Sequence, residues 1–536
     1  KSNMTPELLG DVLPFFLLPV LVWLTYWDIL KGSWVSDDIL GMAVYDGKLQ
    51  RPLTWGNGLK WFRYHAAKIP NPNRNWKTEQ QPPFLPSAHA HHRLNLWVFS
   101  GISVLTYTFL QALLPQPLAF LTTLLWVVHP LGVQTVGWIS GLGYLVATFF
   151  MLLGLNVGFL LQEAGWFTTP LGVLGCLLLY GLCQLMAVEA MFCTIGVVAV
   201  TAWLGWWPMT VVAGFLAMYQ GFHTFREALD LRRKVFHEQK MAQSTYFYPR
   251  KFLVVLKTLY YDLKLAVFPK RLGLYHTFCY HYDLPYVEQE DRYALLGGLG
   301  GLGLLAGILW GTIPIQLGSL WFLAFSLIFL NWITANQFVV DRYVWLPSLG
   351  ICLMVTSLLP LWAVGILIGL ALMRTWTHLP TYDSEEKFYL SNIWNFSASE
   401  VAHGNLGVTH LGSGWIGSAI DAWWRGIQLN PEYDVCWYNL SSMLRARGPL
   451  NPNYAPRFYQ GLPKEVLDLA LQRDPTRSHL HLARYCLYRA VTAKTCHFPQ
   501  PWQQELVQLD QELARPVGVS ALPARLISPL LTAALT

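Results

Sequence analysis

Two adjacent carboxylates, Asp37 and Asp38, stand a few residues beyond the first long apolar run of the chain. Adjacent carboxylates beside a membrane can take a proton from an attacking hydroxyl, or hold a divalent ion through hard oxygen ligands. The same residues also suit a plainer role, with Ser36 or Asp37 capping an interfacial helix. His89, His91 and His92 cluster ahead of a second apolar run, beside Arg93 and Asn95. Imidazoles can bind metal, but this spacing suits no helical zinc site, and an exposed polar lead-in to the helix is the other reading. His129-Pro130 closes one apolar run, Glu189 sits between two more, and Asp341-Arg342-Tyr343 precedes another. Ionisable groups at such edges are interface anchors, paired charges, or the lining of a polar cavity over the bilayer.

The elements that must position these residues are apolar helices. The chain has 536 residues, of which 54% are hydrophobic and only 13% charged, against about 25% charged in ordinary soluble domains. A spanning helix needs about 20 predominantly apolar residues. Runs of that kind lie at 12–30, 94–114, 118–138, 143–162, 171–188, 190–206, 207–222, 293–312, 314–334, 344–359 and 360–375. The run 251–268 carries Lys257, Asp262 and Lys264, and reads either as a span facing protein or as a helix in the interface. The expectation is an all-α, polytopic membrane domain over residues 1–376, with about ten to twelve spans. The polar interruptions are 31–93, 223–251 and 270–292, and the other connections are short and uncharged. A count of basic residues would put the long loops in the cytoplasm, whereas the candidate chemistry puts them outside it. The 25 tryptophans and 25 tyrosines suit membrane interfaces. The modest net charge of +6 is scattered and gives no case for nucleic acid. Eight dispersed cysteines without a CxxC pair give neither a disulfide framework nor a zinc site of that type.

From Asp383 onward the composition becomes that of soluble helical hairpins. Asn405-Leu406-Gly407 is echoed thirty-four positions later by Asn439-Leu440-Ser441, the period of the tetratricopeptide helix pair. Residues 383–536 are therefore expected to form a helical repeat domain. Its first pair runs from about Ala402 to Asn430. A second starts near Asp434, is interrupted over 448–463 and closes at Asp474-Pro475, and a third begins near Ser478. The repeats around Asn405 and Asn439 would present a surface to a protein or peptide.

In order along the chain, these anchors resemble the family of transmembrane and tetratricopeptide-repeat-containing O-mannosyltransferases, of the GT-C glycosyltransferase superfamily. Ser36-Asp37-Asp38 matches the family's acidic pair after the first helix, and His92-Arg93-Leu94-Asn95 matches its His-x-x-Asn. The tract from His129 to Trp138 resembles a His-Pro…Glu-Ala-Val-Ala-Trp pattern, and Pro269-Lys270-Arg271-Leu272 resembles Pro-x-Arg-Leu. Asp341-Arg342-Tyr343-Val344-Trp345-Leu346-Pro347-Ser348-Leu349-Gly350 is the strongest match, to Glu-Arg-Tyr-Leu-Tyr-Leu-Pro-Ser-Leu-Gly.

The resemblance implies a multi-pass protein of the bacterial inner membrane or endoplasmic reticulum, with the 31–93 loop and the repeats on the extracytoplasmic side. It would act as a glycosyltransferase on a polyprenyl-phosphate sugar and a protein hydroxyl. Asp37 and Asp38 would be catalytic, with a divalent ion (Mg or Mn) at the same pair as a further expectation. Arg342, Arg271, His129, His92 and Glu189 would line the donor-phosphate pocket. Three positions depart from the family pattern: Gln134 stands for Glu, Val188 for Lys, and Leu142-Gly143-Tyr144 where an Arg and an acidic residue are usual. These departures keep a second expectation in view, a catalytically inactive subunit that uses the same fold as a scaffold in a larger membrane complex.

Overall fold

The computed structural model describes residues 6–33, 88–165, 190–207, 251–274, 291–330, 339–396, 399–473, 477–493 and 499–514, with a few isolated positions between them. These residues are overwhelmingly helical. The exception is one antiparallel pairing of Val44–Tyr45 with Lys48–Leu49, in register Val44 to Leu49. The chain divides into two compact units, one of Lys1–Glu227 with Phe247–Phe388 and one of Ala228–Tyr246 with Tyr389–Thr536.

In the first unit the helices are α1 (Pro6–Tyr26), α2 (Ala88–Gln111), α3 (Gln116–Val127), α4 (Gly132–Gly137), α5 (Leu142–Glu163), α6 (Ala190–Trp203), α7 (Lys251–Val267), α8 (Asp291–Trp310), α9 (Ile313–Ser326), α10 (Asp341–Leu358) and α11 (Leu361–His378). Among the described residues, four stretches are helical, long and apolar enough to cross a membrane: Val12–Lys31, Leu142–Glu163, Arg292–Trp310 and Leu361–Tyr382. Gln116–Val127, Cys193–Trp203 and Ile313–Phe329 are shorter and apolar.

Helix α10 is central, packing against α9, α3, α7 and α4. Its Trp345 stacks on Trp126 of α3 at 4.9 Å, with Phe99 of α2 5.9 Å away. Trp126 Nε1 also donates to the Trp345 carbonyl at 2.9 Å, so this indole is buried with its polar handle satisfied. The α9–α10 crossing is close because both helices present glycine. A Cβ on Gly318 would stand 2.6 Å from the Gly350 carbonyl oxygen, and a Cβ on Gly350 would in turn strike that of Gly318.

Two boundaries differ from those expected. The run 118–138 is not one helix: α3 ends at Val127, the chain turns at His129-Pro130, and the short buried α4 follows. Proline lacks the N–H that would continue the ladder and crowds the preceding turn. Helix α2 starts at Ala88, six residues before the apolar run, and takes the three histidines into its first turns, with His91 and His92 buried. The polar lead-in is thus buried helix. In α7, Lys257 and Asp262 are buried, so this helix packs them against protein.

The second unit holds most of α12 (Glu385–Asn395), then α13 (Glu400–Gly412), α14 (Ile416–Leu429), α15 (Asp434–Arg447), α16 (Ala455–Tyr459), α17 (Lys464–Arg473), α18 (Ser478–Thr492) and α19 (Pro499–Ala514). Ser399 caps α13, its side chain accepting from Ala402 N–H. Helices α13 and α14 form a hairpin across a short turn, with Trp423 Nε1 donating to the Gly404 carbonyl at 3.0 Å and its indole filling the space a Cβ on Gly407 would need.

The second hairpin is built differently from the sequence expectation. Helix α15 pairs with α18, not α17. Ser441 Oγ donates to the Ala483 carbonyl at 2.8 Å, and Trp437 meets the Tyr485 ring at 6.0 Å and the Arg489 guanidinium at 5.2 Å. Residue numbers that rise along α15 therefore meet numbers that fall along α18, which makes the pair antiparallel. Helices α16 and α17 form an insertion inside it. Phe458 of α16 packs on Trp424 of α14 at 6.0 Å. Helix α19 then lies on α15 and α18: Trp502 stacks on Tyr438 at 4.4 Å, and Glu505 pairs with Arg445 at 2.6 Å.

Candidate functional site

The motifs singled out in the sequence lie far apart along the chain, yet side-chain hydrogen bonds tie most of them together at one end of the first unit. Asn95, on the same helix as His92, donates through Nδ2 to the carbonyls of Val136 (3.0 Å) and Trp138 (3.3 Å). This bond pins the tract that follows His129-Pro130. Within that tract, Gln134 is 1% exposed and its Oε1 accepts the Arg342 backbone N–H at 2.8 Å. Arg342 is the second residue of α10, and the first N–H groups of a helix have no partner within it. Gln134 therefore caps α10 from another element.

Asp341 opens α10 and is 1% exposed. Its Oδ2 accepts the Gly273 N–H at 2.7 Å, and its Oδ1 lies 2.8 Å from His276 Nε2. The carboxylate thus holds the segment after α7, the one that contains Arg271, against the start of α10. Arg271 itself is exposed. Arg374, near the end of α11, donates to the Lys270 carbonyl at 3.2 Å. The sequence reading passed over Arg374 because it lies inside an apolar run.

The Arg342 side chain turns away from Asp341. Its guanidinium carbon lies 4.9 Å from the Trp138 ring centroid, 4.8 Å from that of Tyr343 and 5.9 Å from that of Tyr144. Phe329 stacks on Tyr343 at 4.2 Å. Rings around a guanidinium attract it through their quadrupoles and shield it from water. A narrow cleft opens beside this group, lined by Tyr144, Thr148, Cys193, Phe325, Arg342 and Pro347 among others. The cleft is mostly apolar, with Thr148 and the two tyrosines as its polar groups besides the arginine.

His129 is 5% exposed, and both its ring nitrogens meet the backbone. Nδ1 accepts from Leu131 N–H at 3.3 Å, which leaves the proton on Nε2 to donate to the Ala266 carbonyl at 3.1 Å. The ring clamps the turn after α3 to the end of α7. His92 is fully buried, and its ring faces the backbone at Gly32 and Ser33. Its Nε2 lies against Gly32, where a Cβ would stand 3.1 Å away, five positions before Asp37. His89 Nδ1 lies 2.9 Å from the Leu30 carbonyl, so α2 is tied to the end of the first apolar run at that point too.

Neither family models, nor curated proteins, nor solved structures match this chain.

Asp37, Asp38 and Glu189 lie outside the described residues, and with them the expected ion site. Among the described residues no group of three His, Cys, Asp or Glu side chains is placed to hold a metal ion. Asn405 and Asn439 occupy the first helices of two successive hairpins, α13 and α15, so the thirty-four-residue echo joins like positions. Two residues sequence reasoning gave no role are structural centres of the site: Trp138, which underlies the guanidinium, and His276, which holds Asp341. The Trp at the end of the His129 tract was visible as part of a motif. His276 carried no signal at all.

Proposed function

We propose that the chain is a polytopic membrane glycosyltransferase of the GT-C type, with tetratricopeptide-like repeats, acting on a polyprenyl-phosphate sugar. The observation that carries this reading is the junction of motifs from four separate segments around Arg342: Asn95, the tract to Trp138, the segment at Gly273, and the start of α10. Structural needs alone do not call for a guanidinium beside an apolar cleft at the point where so many segments meet. A lipid-linked phosphate does call for it, since the lipid needs an apolar flank and the phosphate needs fixed positive charge.

The chemistry proposed is transfer of the sugar to a protein hydroxyl. The acceptor oxygen attacks the anomeric carbon while Asp37 or Asp38 takes its proton. The bond from that carbon to the phosphate oxygen breaks through an oxocarbenium-like state, by analogy with glycoside hydrolysis. The lipid phosphate leaves with the bonding pair, and Arg342 stabilises its charge. The long 31–93 loop and the repeats lie on the extracytoplasmic side in this reading, and the repeats present the acceptor protein.

A second reading, a non-catalytic scaffold subunit, has one observation in its favour. Three rings cover the Arg342 guanidinium, and Gln134 stands where the related pattern has a carboxylate. The test is transfer by the full chain in nanodiscs, supplied with labelled polyprenyl-phosphate sugars and acceptor protein. Asp37→Asn and Asp38→Asn are each expected to insert and fold, and at least one should lower transfer by about 10²-fold or more, the scale of a lost general base. Absence of transfer with every sugar, together with co-purification of a stable membrane partner, would establish the scaffold.

A further inference from the structure

Arg374 places a charge inside the mainly apolar stretch Leu361–Tyr382, near the end of α11. It is half-buried there. Ionisable side chains within such stretches are costly, and function is the usual reason for them. The guanidinium is held at two points. Nη2 donates to the Lys270 carbonyl at 3.2 Å and Nη1 to Thr377 Oγ1 at 3.3 Å. The bond to Lys270 is exposed, so water could serve that carbonyl equally well. Satisfying the carbonyl therefore does not explain the arginine.

The bond completes a brace around one residue. Lys270 immediately precedes Arg271. Gly273, two residues after Arg271, donates its N–H to the buried Asp341 carboxylate at 2.7 Å, and Leu272 and Leu274 are buried. The turn that leaves α7 is tight as well: Phe268 N–H donates to the Lys264 carbonyl at 2.7 Å, and Lys270 N–H to that of Phe268 at 2.8 Å. Asp341 also lies within electrostatic reach of Arg374, so the start of α10 and the end of α11 grip the segment together. Between the two grips Arg271 is exposed, and no described residue gives its guanidinium a hydrogen bond or a carboxylate. Two charged side chains thus fix the backbone under a third that makes no bond of its own.

We propose that Arg374 is a positioning residue for sugar transfer: it holds the Lys270 carbonyl so that Arg271 is kept in place for the charged end of the lipid donor. Arg374 touches no substrate and acts only through Arg271. This inference rests on the transferase reading, in which Arg271 belongs to the donor pocket. It adds a residue that none of the sequence motifs contains. The plainer role for Arg374 is a counter-charge to Asp341. In that role its loss would lower stability, and its effect would be the same whether or not Arg271 is present.

The experiment is a double-mutant cycle on sugar transfer by the full chain in nanodiscs, with labelled polyprenyl-phosphate sugar as the varied substrate. The proteins are the native chain, Arg271→Ala, Arg374→Leu, the pair of substitutions together, and Arg374→Lys. Arg271→Ala should raise KM for the lipid about tenfold to a hundredfold, the scale of a lost charged hydrogen bond. Its kcat should change little, because the contact is lost equally from ground and transition states. Arg374→Leu should raise KM about tenfold and leave kcat and the thermal midpoint near native, since leucine suits an apolar stretch. Arg374→Lys still has a donor for the Lys270 carbonyl and should recover most of the native KM. The pair should be no worse than Arg271→Ala alone, because a brace has no effect once the braced group is gone. Native KM in Arg374→Leu, effects that add in the pair, or a thermal midpoint that falls in step with activity overturns the positioning role. If Arg374→Leu does not fold, Arg374→Gln takes its place in the cycle and the same outcomes decide. Transfer by the native chain with no effect of Arg374 removes the brace and spares the transferase. A native chain that transfers no sugar removes the transferase reading, and the positioning role falls with it.

Discussion

Asp341 and Arg342 are neighbours with opposite tasks. The buried carboxylate is consumed by His276 and the Gly273 N–H, both within 2.8 Å, so it is a strut. The arginine is sandwiched between Trp138 and Tyr343, and its planar face is what the rings contact. A lysine would keep the charge but lose the flat, delocalised group that stacks and forks. Arg342→Lys is therefore expected to leave thermal unfolding nearly unchanged and to lower polyprenyl-phosphate affinity, and sugar transfer with it, about tenfold or more. Native affinity in a folded Arg342→Lys protein would show that charge alone suffices and that the cage is packing. The Asp341-Arg342 motif was legible in the sequence. Its division of labour was not, because whether adjacent opposite charges pair with each other depends on His276, 65 positions upstream of Asp341, and on Trp138, about two hundred positions upstream of Arg342, both beyond the reach of local spacing.

Elements in this chain are placed by small residues as much as by apolar ones. Gly350, the last residue of the best-matched motif, stands against the backbone of Gly318. Backbone cannot move aside as a flexible side chain can, so Gly350→Ala should separate α9 from α10 and destabilise the first unit by about 1–3 kcal/mol, the usual range for overpacking. Gly365 on α11 is the control: nothing lies within 4 Å of a Cβ there, and Gly365→Ala should be neutral or stabilising by up to about 1 kcal/mol, since alanine is the better helix former. Unfolding of the two variants in the same detergent checks this, and equal midpoints would mean that the α9–α10 approach carries no stability. Small residues also explain what the sequence reading caught and missed in the repeats. Gly407 and Ser441, which echo each other in the sequence, lie on α13 and α15, each the first helix of a hairpin. Both face their partner closely, Gly407 on Trp423 and Ser441 on the Ala483 carbonyl. The partner of α15 was misread because α17 lies nearer in sequence and ends at a suitable Asp-Pro. Only packing reveals that α16 and α17 are inserted and that α18 closes the hairpin. Likewise the run 118–138 has the composition of one span, but Pro130 ends α3 early and gives the chain the turn from which Gln134 reaches α10.

At the scale of the whole molecule, four helices among the described residues have the length and apolarity to cross a bilayer, which suits the membrane residence that the composition suggests. The side on which each loop lies is another matter. Basic residues are concentrated in the long loops, which by charge alone belong in the cytoplasm. The proposed chemistry requires the contrary, since its lipid donor and protein acceptor meet at Asp37 and Asp38 outside the cytoplasm. Charge bias is a weak guide where long loops are concerned, because long segments translocate largely regardless of it. The two principles thus give opposite, measurable outcomes. Single cysteines at Lys31, an exposed side chain at the end of the first apolar run, and at Ala446, exposed on α15, can be labelled with a membrane-impermeant maleimide. The native cysteines described, Cys193, Cys352, Cys436 and Cys486, are buried, and replacing Cys176, Cys183, Cys279 and Cys496 with serine removes the remaining native thiols from the background. Both positions should react from the extracytoplasmic side of intact, sealed membranes and gain no further label on permeabilisation. Protection of both until the membrane is opened would put the acidic pair and the repeats in the cytoplasm, and with them any chemistry at Asp37 and Asp38. Labelling of Lys31→Cys alone would leave the acidic pair in place but separate the repeats from it by the bilayer, so that they could not present an acceptor and would instead serve a cytoplasmic partner.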